Sequence, residues 1–163
     1  MSAKRGQKKS AHPLRGHHTR LIALFENLIA EAKKDDRSRL RPMWASFESA
    51  LLAHIAAEEA ELLPLYRRGH PAEATAILED HVFFRKVLTE FGVDLDLHLM
   101  RADAVEAFLR RMSEHAMSED EGLYPWAARE VPVQVQERFR EAAEGLPVSG
   151  KKGPSDASGM GLP

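Results

Sequence analysis

The 163-residue chain has no cysteine. Disulfides and thiolate metal ligands are therefore excluded, and any metal site must be built from histidine and carboxylate. No apolar run approaches the roughly 18 residues that a membrane-spanning helix needs, so no span is expected. Neither sign of charge dominates: 23 Lys and Arg stand against 25 Asp and Glu, for a formal net charge of −2. That balance lacks the overall basic footprint of a nucleic-acid binder. The basic residues Lys4, Arg5, Lys8 and Lys9 are not followed at once by an apolar segment, so they do not read as a secretory signal. A cytoplasmic protein is the expectation. Strand-type alternation of any length is also missing.

What is present is enough for one packed domain, with 44% hydrophobic and 29% charged residues. Residues 1–13 are polar and basic and read as a solvated tail. Residues 147–163 are rich in Gly, Pro and Ser and read as a second tail. Between them, residues 14–146 carry four long helical patterns, at about 14–34, 39–68, 72–98 and 103–130. The second has Pro42 near its start and Gly69-His70-Pro71 at its end, and the third has a weak point at Gly92. A short fifth pattern runs from Val133 to Glu144. Short connections between long helices favour antiparallel neighbours, which predicts an all-α, up-down-up-down four-helix bundle with a short additional C-terminal helix.

The inner stripes of these helices contain residues that do not belong in an apolar core. The first stripe is His18, Leu21, Ile22, Phe25, with His17 one position round. The second is Trp44, Phe47, Leu51, His54, Glu58, Leu62. The third is Ile77, His81, Phe84, Leu88. The fourth is Val105, Phe108, Met112, His115, Glu119, Leu123. Each helix thus presents one inward histidine, and two present a glutamate one turn later. A lone inward histidine is more often a hydrogen-bonded core residue. A lone glutamate at a stripe edge usually reaches solvent. Four imidazoles and two carboxylates together are different, because a buried unpaired carboxylate costs several kcal/mol. They need a common partner, which a metal or a pair of metals supplies. Residues i and i+4 are about 6 Å apart along a helix, so a histidine and a glutamate so placed can share one ion. Six ligands are too many for one tetrahedral zinc. They suit two ions of higher coordination number, iron or manganese.

A repeat supports this reading. His54-Ile-Ala-Ala-Glu58-Glu59-Ala-Glu-Leu62-Leu63-Pro64 recurs as His115-Ala-Met-Ser-Glu119-Asp120-Glu-Gly-Leu123-Tyr124-Pro125. His81 lies 63 residues after His18, and His115 lies 61 after His54. Each half of the chain gives a histidine from one helix and His-x-x-x-Glu from the next. A duplication that kept only packing residues would preserve the leucines and not these. Pro64 and Pro125 leave the carbonyls of Ala60 and Glu121 without their helical donor, so each bends or ends its helix just past the repeat's glutamate. Glu59, one position round from Glu58, reads as a solvated neighbour. His12, His17, His70 and His98 fall to tail, helix edge and loops.

The ordered set His18, His54-x-x-x-Glu58, His81, His115-x-x-x-Glu119 resembles the hemerythrin-like family, the HHE cation-binding domain, over about residues 14–130. The resemblance implies a non-haem centre of two iron ions, oxo- or hydroxo-bridged, with manganese as an alternative. The four histidines would be terminal ligands, and Glu58 and Glu119 would bridge. Met112, Phe84, Leu51 and Phe25 would wall the pocket, with Tyr124 packed beside it. The ligand implied is a small oxygen or nitrogen oxide: dioxygen, peroxide or nitric oxide. A peroxide- or nitric-oxide-consuming activity is one form of that function, and an iron or oxygen sensor or storage module without catalysis is the alternative. No nucleic-acid or membrane partner is implied.

Two positions depart from the oxygen-carrying members. Arg85 stands where they have a further histidine, one turn after His81. A water or small ligand then takes the vacant position, or Arg85 pairs with a bridging carboxylate, or it turns outward. Asp120 has the spacing of their aspartate, but Glu119 matches the first copy of the repeat and lies better on the stripe. Glu119 is therefore the expected ligand, with Asp120 as its substitute. A ferritin-like oxidase is disfavoured, because that bundle uses Glu-x-x-His and no glutamate precedes these histidines by three.

Overall fold

The computed structural model describes residues 16–34 and 38–145. The two tails expected at 1–13 and 147–163 lie outside the described residues. Helices α1 (Gly16–Ala32), α2 (Leu40–Ala57), α4 (Pro71–Leu97) and α5 (Ala102–Glu121) are the long elements. Between α2 and α4 come a π-helical turn (Glu58–Leu62) and the short α3 (Leu63–Tyr66). After α5 come α6 (Leu123–Glu130) and α7 (Val133–Ala143). Among the described residues there is no strand, and no helix is long and apolar enough to cross a membrane.

Packing follows the apolar stripes. Helix α1 buries Leu21, Phe25 and Leu28 at helical spacing, and α5 buries Val105, Phe108 and Met112. Both α1 and α4 pack against α2 and α5, so the four long helices enclose one core. Helix α7 lies across α2 and the π-turn. The third helix runs through Gly92 unbroken. The reason is spatial: a Cβ at Gly92 would meet the Trp44 indole Nε1 at 3.5 Å, so the glycine gives the indole room.

The second and fourth helices are each interrupted, just past Glu58 and Glu119. In the second, the Leu63 N–H donates to the Glu58 carbonyl, five residues back instead of four. Pro64 explains the widening. It has no N–H, and its ring would collide with the carbonyl four residues before it, so the chain opens by one residue ahead of it. In the fourth, the break falls at Gly122, which separates α5 from α6. A Cβ there would sit 3.1 Å from the Ser118 carbonyl and 3.2 Å from the Tyr66 hydroxyl, so glycine allows the close approach. Both helices then resume and carry their prolines inside the first turn, so neither proline ends its helix outright.

The apolar core is divided in two. One cluster, built round Phe25, Phe47, Phe84 and Phe108, fills the long helices. A second, with Leu62, Leu63, Tyr66, Leu123, Tyr124 and Phe139, lies under α3, α6 and α7. The stripe residues between these clusters are the polar ones.

Candidate metal centre

His18, His54, Glu58, His81, His115 and Glu119 are all buried, with exposures from 0% to 5%. Helix α1 supplies His18, α2 His54, α4 His81 and α5 His115 with Glu119. Glu58 opens the π-turn. The ring of His18 points inward, and that of His17 is half-buried at the edge, against His54 and Phe139.

The six side chains converge. Glu58 places one carboxylate oxygen 3.4 Å from His54 Nε2 and the other 3.2 Å from His81 Nε2. Glu119 Oε2 lies 2.9 Å from His18 Nε2 and 3.2 Å from His115 Nε2, and its Oε1 lies 3.8 Å from His81 Nε2. His18 and His54 approach to 3.1 Å through their Nε2 atoms. Two overlapping groups result: His18, His54, Glu58 and Glu119, and Glu58, His81, His115 and Glu119. Within each, one ligand atom per residue lies within 4.8 Å of all the others, so each could hold a metal ion.

The donor set fits that use. His81 Nε2, Glu58 Oε2 and both oxygens of Glu119 are buried without a hydrogen bond of acceptable geometry. Carboxylate lone pairs gathered at one point and unsatisfied by hydrogen bonds are what a cation, a proton included, takes up. The charges agree. Burial opposes a charge on the His18 ring, but Asp120 and Glu119 outweigh it and push the ring up to about 10. His81 behaves in the same way: burial is overcome by Glu119 and Glu58, again to about 10. Burial dominates at His54 and lowers it to about 4, despite Glu58. Burial works against the Glu58 carboxylate, yet His54 and His81 hold it ionised, below the usual range. Two carboxylates in a dry core thus draw positive charge onto neighbouring imidazoles.

Carboxylates stand behind three of the histidines, hydrogen-bonded to His81 and His115 and in ion-pair contact with His18. Glu59 lies 3.1 Å from His81 Nδ1, Asp80 3.3 Å from His115 Nδ1, and Asp120 3.4 Å from His18 Nδ1. Such contacts select the tautomer that leaves Nε2 free to ligate. Arg85 makes two hydrogen bonds to Glu59, each 2.8 Å, and Arg111 donates to Asp80 at 2.8 Å. Both carboxylates are held below their ordinary range, Glu59 chiefly by Arg85, and Asp80 by His115 and Arg111 against its burial.

These contacts correct the reading of Glu59. It is not a solvated neighbour but the link between Arg85 and His81. Its repeat equivalent is Asp120, also acidic and also behind a histidine, so the shared acid was the available signal. Arg85 pairs with neither Glu58 nor Glu119. Asp120 stands behind His18 and belongs to neither four-residue group, whereas Glu119 belongs to both. Asp80 left no mark in the pattern, because its partners His115 and Arg111 are brought to it only by the fold. Tyr124 is more than packing: its hydroxyl donates to Glu58 at 2.6 Å, and its ring stacks on His18.

No curated protein and no solved structure matches the chain. The hemerythrin HHE cation-binding domain matches residues 10–127, a span that contains all six of these residues. With more than half of its length so matched, the chain belongs to the hemerythrin HHE cation-binding domain family.

Proposed function

We propose that this chain holds two iron ions and binds or reacts with a small oxygen or nitrogen oxide, such as dioxygen, peroxide or nitric oxide. The observation that carries the proposal is that two four-residue ligand groups share Glu58 and Glu119. A shared pair of carboxylates is how a protein holds two ions a few ångströms apart. His18 and His54 would serve one ion, and His81 and His115 the other. Iron suits mixed imidazole and carboxylate donors, and manganese would be accepted by the same set. When bound, the ions would supply Lewis acidity and electron transfer. The chain's own residues do the rest. Carboxylates behind His18, His81 and His115 aim the rings, Tyr124 offers a hydroxyl proton at Glu58, and Phe25, Leu51, Phe84 and Met112 keep bulk water out. The four long helices would form an up-down-up-down bundle, within a domain spanning 14–146.

Metal analysis and an absorption spectrum of protein from iron-replete cells test this. Two irons per chain, with a charge-transfer band that shifts on adding azide, are expected. Metal-free protein whose properties do not change in the His54→Ala, His115→Ala double variant would refute the centre. Sustained loss of added peroxide would identify turnover, and a stoichiometric, reversible spectral change would identify binding.

A further inference from the structure

The four long helices stand in a ring, with α1 beside α2, α2 beside α4, α4 beside α5 and α5 beside α1. Four seams therefore run from the surface to the buried cluster, and side chains cover three of them. At α1–α2, Phe139 of α7 lies 5.9 Å from the His17 ring and 6.2 Å from that of His54. At α2–α4, Arg85 pairs with Glu59 of the π-turn at 2.8 Å, and His81 behind them has no exposed surface. At α4–α5, Arg111 pairs with Asp80 at 2.8 Å and lies 4.2 Å over the Phe83 ring.

The fourth seam differs. Between α1 and α5 lies a cavity of about 360 Å³, lined by His18, Thr19, Ile22, Ser113, Met117 and Asp120 among others. Thr19, Ser113 and Met117 are exposed and His18 is buried, so the cavity leads from the surface to the cluster. The small side chain of Ala116, one residue after His115, also lines it. The His18 ring forms the inner wall: its Nδ1 faces Asp120, and its Nε2 lies 2.9 Å from Glu119. One imidazole thus stands between the cavity and the candidate ligand groups.

The lining also bears on what can enter. Thr19 and Ser113 carry hydroxyls that donate and accept, and Asp120 and Glu121 carry carboxylates that accept. A ligand with both O–H donors and oxygen acceptors can exchange its hydrogen bonds to water for hydrogen bonds to this wall. Hydrogen peroxide has both, whereas dioxygen and nitric oxide have no donor.

We propose that the α1–α5 seam is the entrance to the centre, and that it favours hydrogen peroxide over dioxygen or nitric oxide. This rests on the two-ion reading above.

The test loads the full chain with iron and follows azide, which colours ferric iron, by stopped flow. Ala116→Leu fills the seam and should slow azide binding and azide release by the same factor, about 10-fold or more. The dissociation constant and the final spectrum should not change, because a narrowed passage alters rates alone. Ser113→Trp, at an exposed position, should act in the same way, and it decides if Ala116→Leu folds poorly. Val82→Trp, on the outer face of α4, should change nothing. Unchanged rates, or slowing that comes with a changed dissociation constant in both filled variants, would overturn the entrance. For the ligand, Thr19→Val combined with Ser113→Ala should slow oxidation of the reduced chain by hydrogen peroxide about 3- to 10-fold. Oxidation by dioxygen should stay as it was. Equal effects on the two oxidants, or none on either, would overturn the preference for peroxide. Uptake of fewer than two irons is measured before mixing, and it would instead defeat the two-ion reading.

Discussion

Tyr124 carries its hydroxyl into the buried histidine and glutamate cluster, fully buried and 2.6 Å from Glu58. Burial, reinforced by the Glu58 and Glu119 charges, raises the phenol well above its ordinary range, so it stays a proton donor. Tyr124→Phe leaves a buried carboxylate one donor short. It should destabilise the metal-free chain by about 2 kcal/mol in urea unfolding, with a smaller loss once metal is bound. Gly122→Ala should cost about 1–2 kcal/mol in the same measurement, because the added methyl meets both the Ser118 carbonyl and Tyr66. At this scale the sequence was informative wherever a polar residue broke an apolar stripe, as His54 and Glu58 do after Leu51. It was silent where a residue acts through a partner far along the chain. Asp80 looks like any surface aspartate until His115 and Arg111 are folded onto it.

The helical runs were readable because their apolar spacing is regular, and counted through the interruptions after Ala57 and Glu121 they fall within a residue or two of expectation. The π-turn was not readable, since a one-residue widening leaves the stripe nearly unchanged and Pro64 only warns of some disturbance. Helix α4 ends on His98 in the left-handed conformation, at φ 58°, with the Leu99 N–H closing back on Asp94 at 2.8 Å. That position favours glycine. His98→Gly should therefore raise stability by about 1 kcal/mol, seen as a higher urea midpoint with unchanged slope. Helix α7 was expected to be short, but its contribution to the site was not foreseen. Phe139 is fully buried against the rings of His17, His54 and Tyr124. Phe139→Ala should cost about 3–5 kcal/mol on thermal unfolding.

Across the whole molecule, the imidazoles make metal-free stability depend on pH from both sides. His18 and His81 sit near 10 when folded, against an ordinary 6.5. Their contribution is complete below about pH 6.5 and is lost as pH rises toward 10. His54 sits near 4, so the unfolded chain binds the extra proton and stability falls as pH drops from 6.5 toward 4. Urea midpoints of the metal-free chain should therefore peak near neutrality. In the proposed centre, metal binding displaces the protons on His18 and His81, so affinity should rise with pH, and proton release should be measurable in weakly buffered titrations. Stripping the metal should lower the unfolding temperature. At a free ion concentration 1,000 times the dissociation constant, the linked stabilisation is about 4 kcal/mol.

The sharing of Glu58 and Glu119 between the two candidate groups reaches further than the proposed coordination. Each four-residue group takes three members from one half of the chain and its fourth from the other. Neither half could therefore complete a group alone. The exposed link Arg67-Arg68-Gly69, between α3 and α4, separates the halves. A chain divided there should behave as a two-piece lock whose key is the ion. The fragments should stay apart in chelator and join one to one when metal is supplied, as sedimentation of the mixed pieces would show.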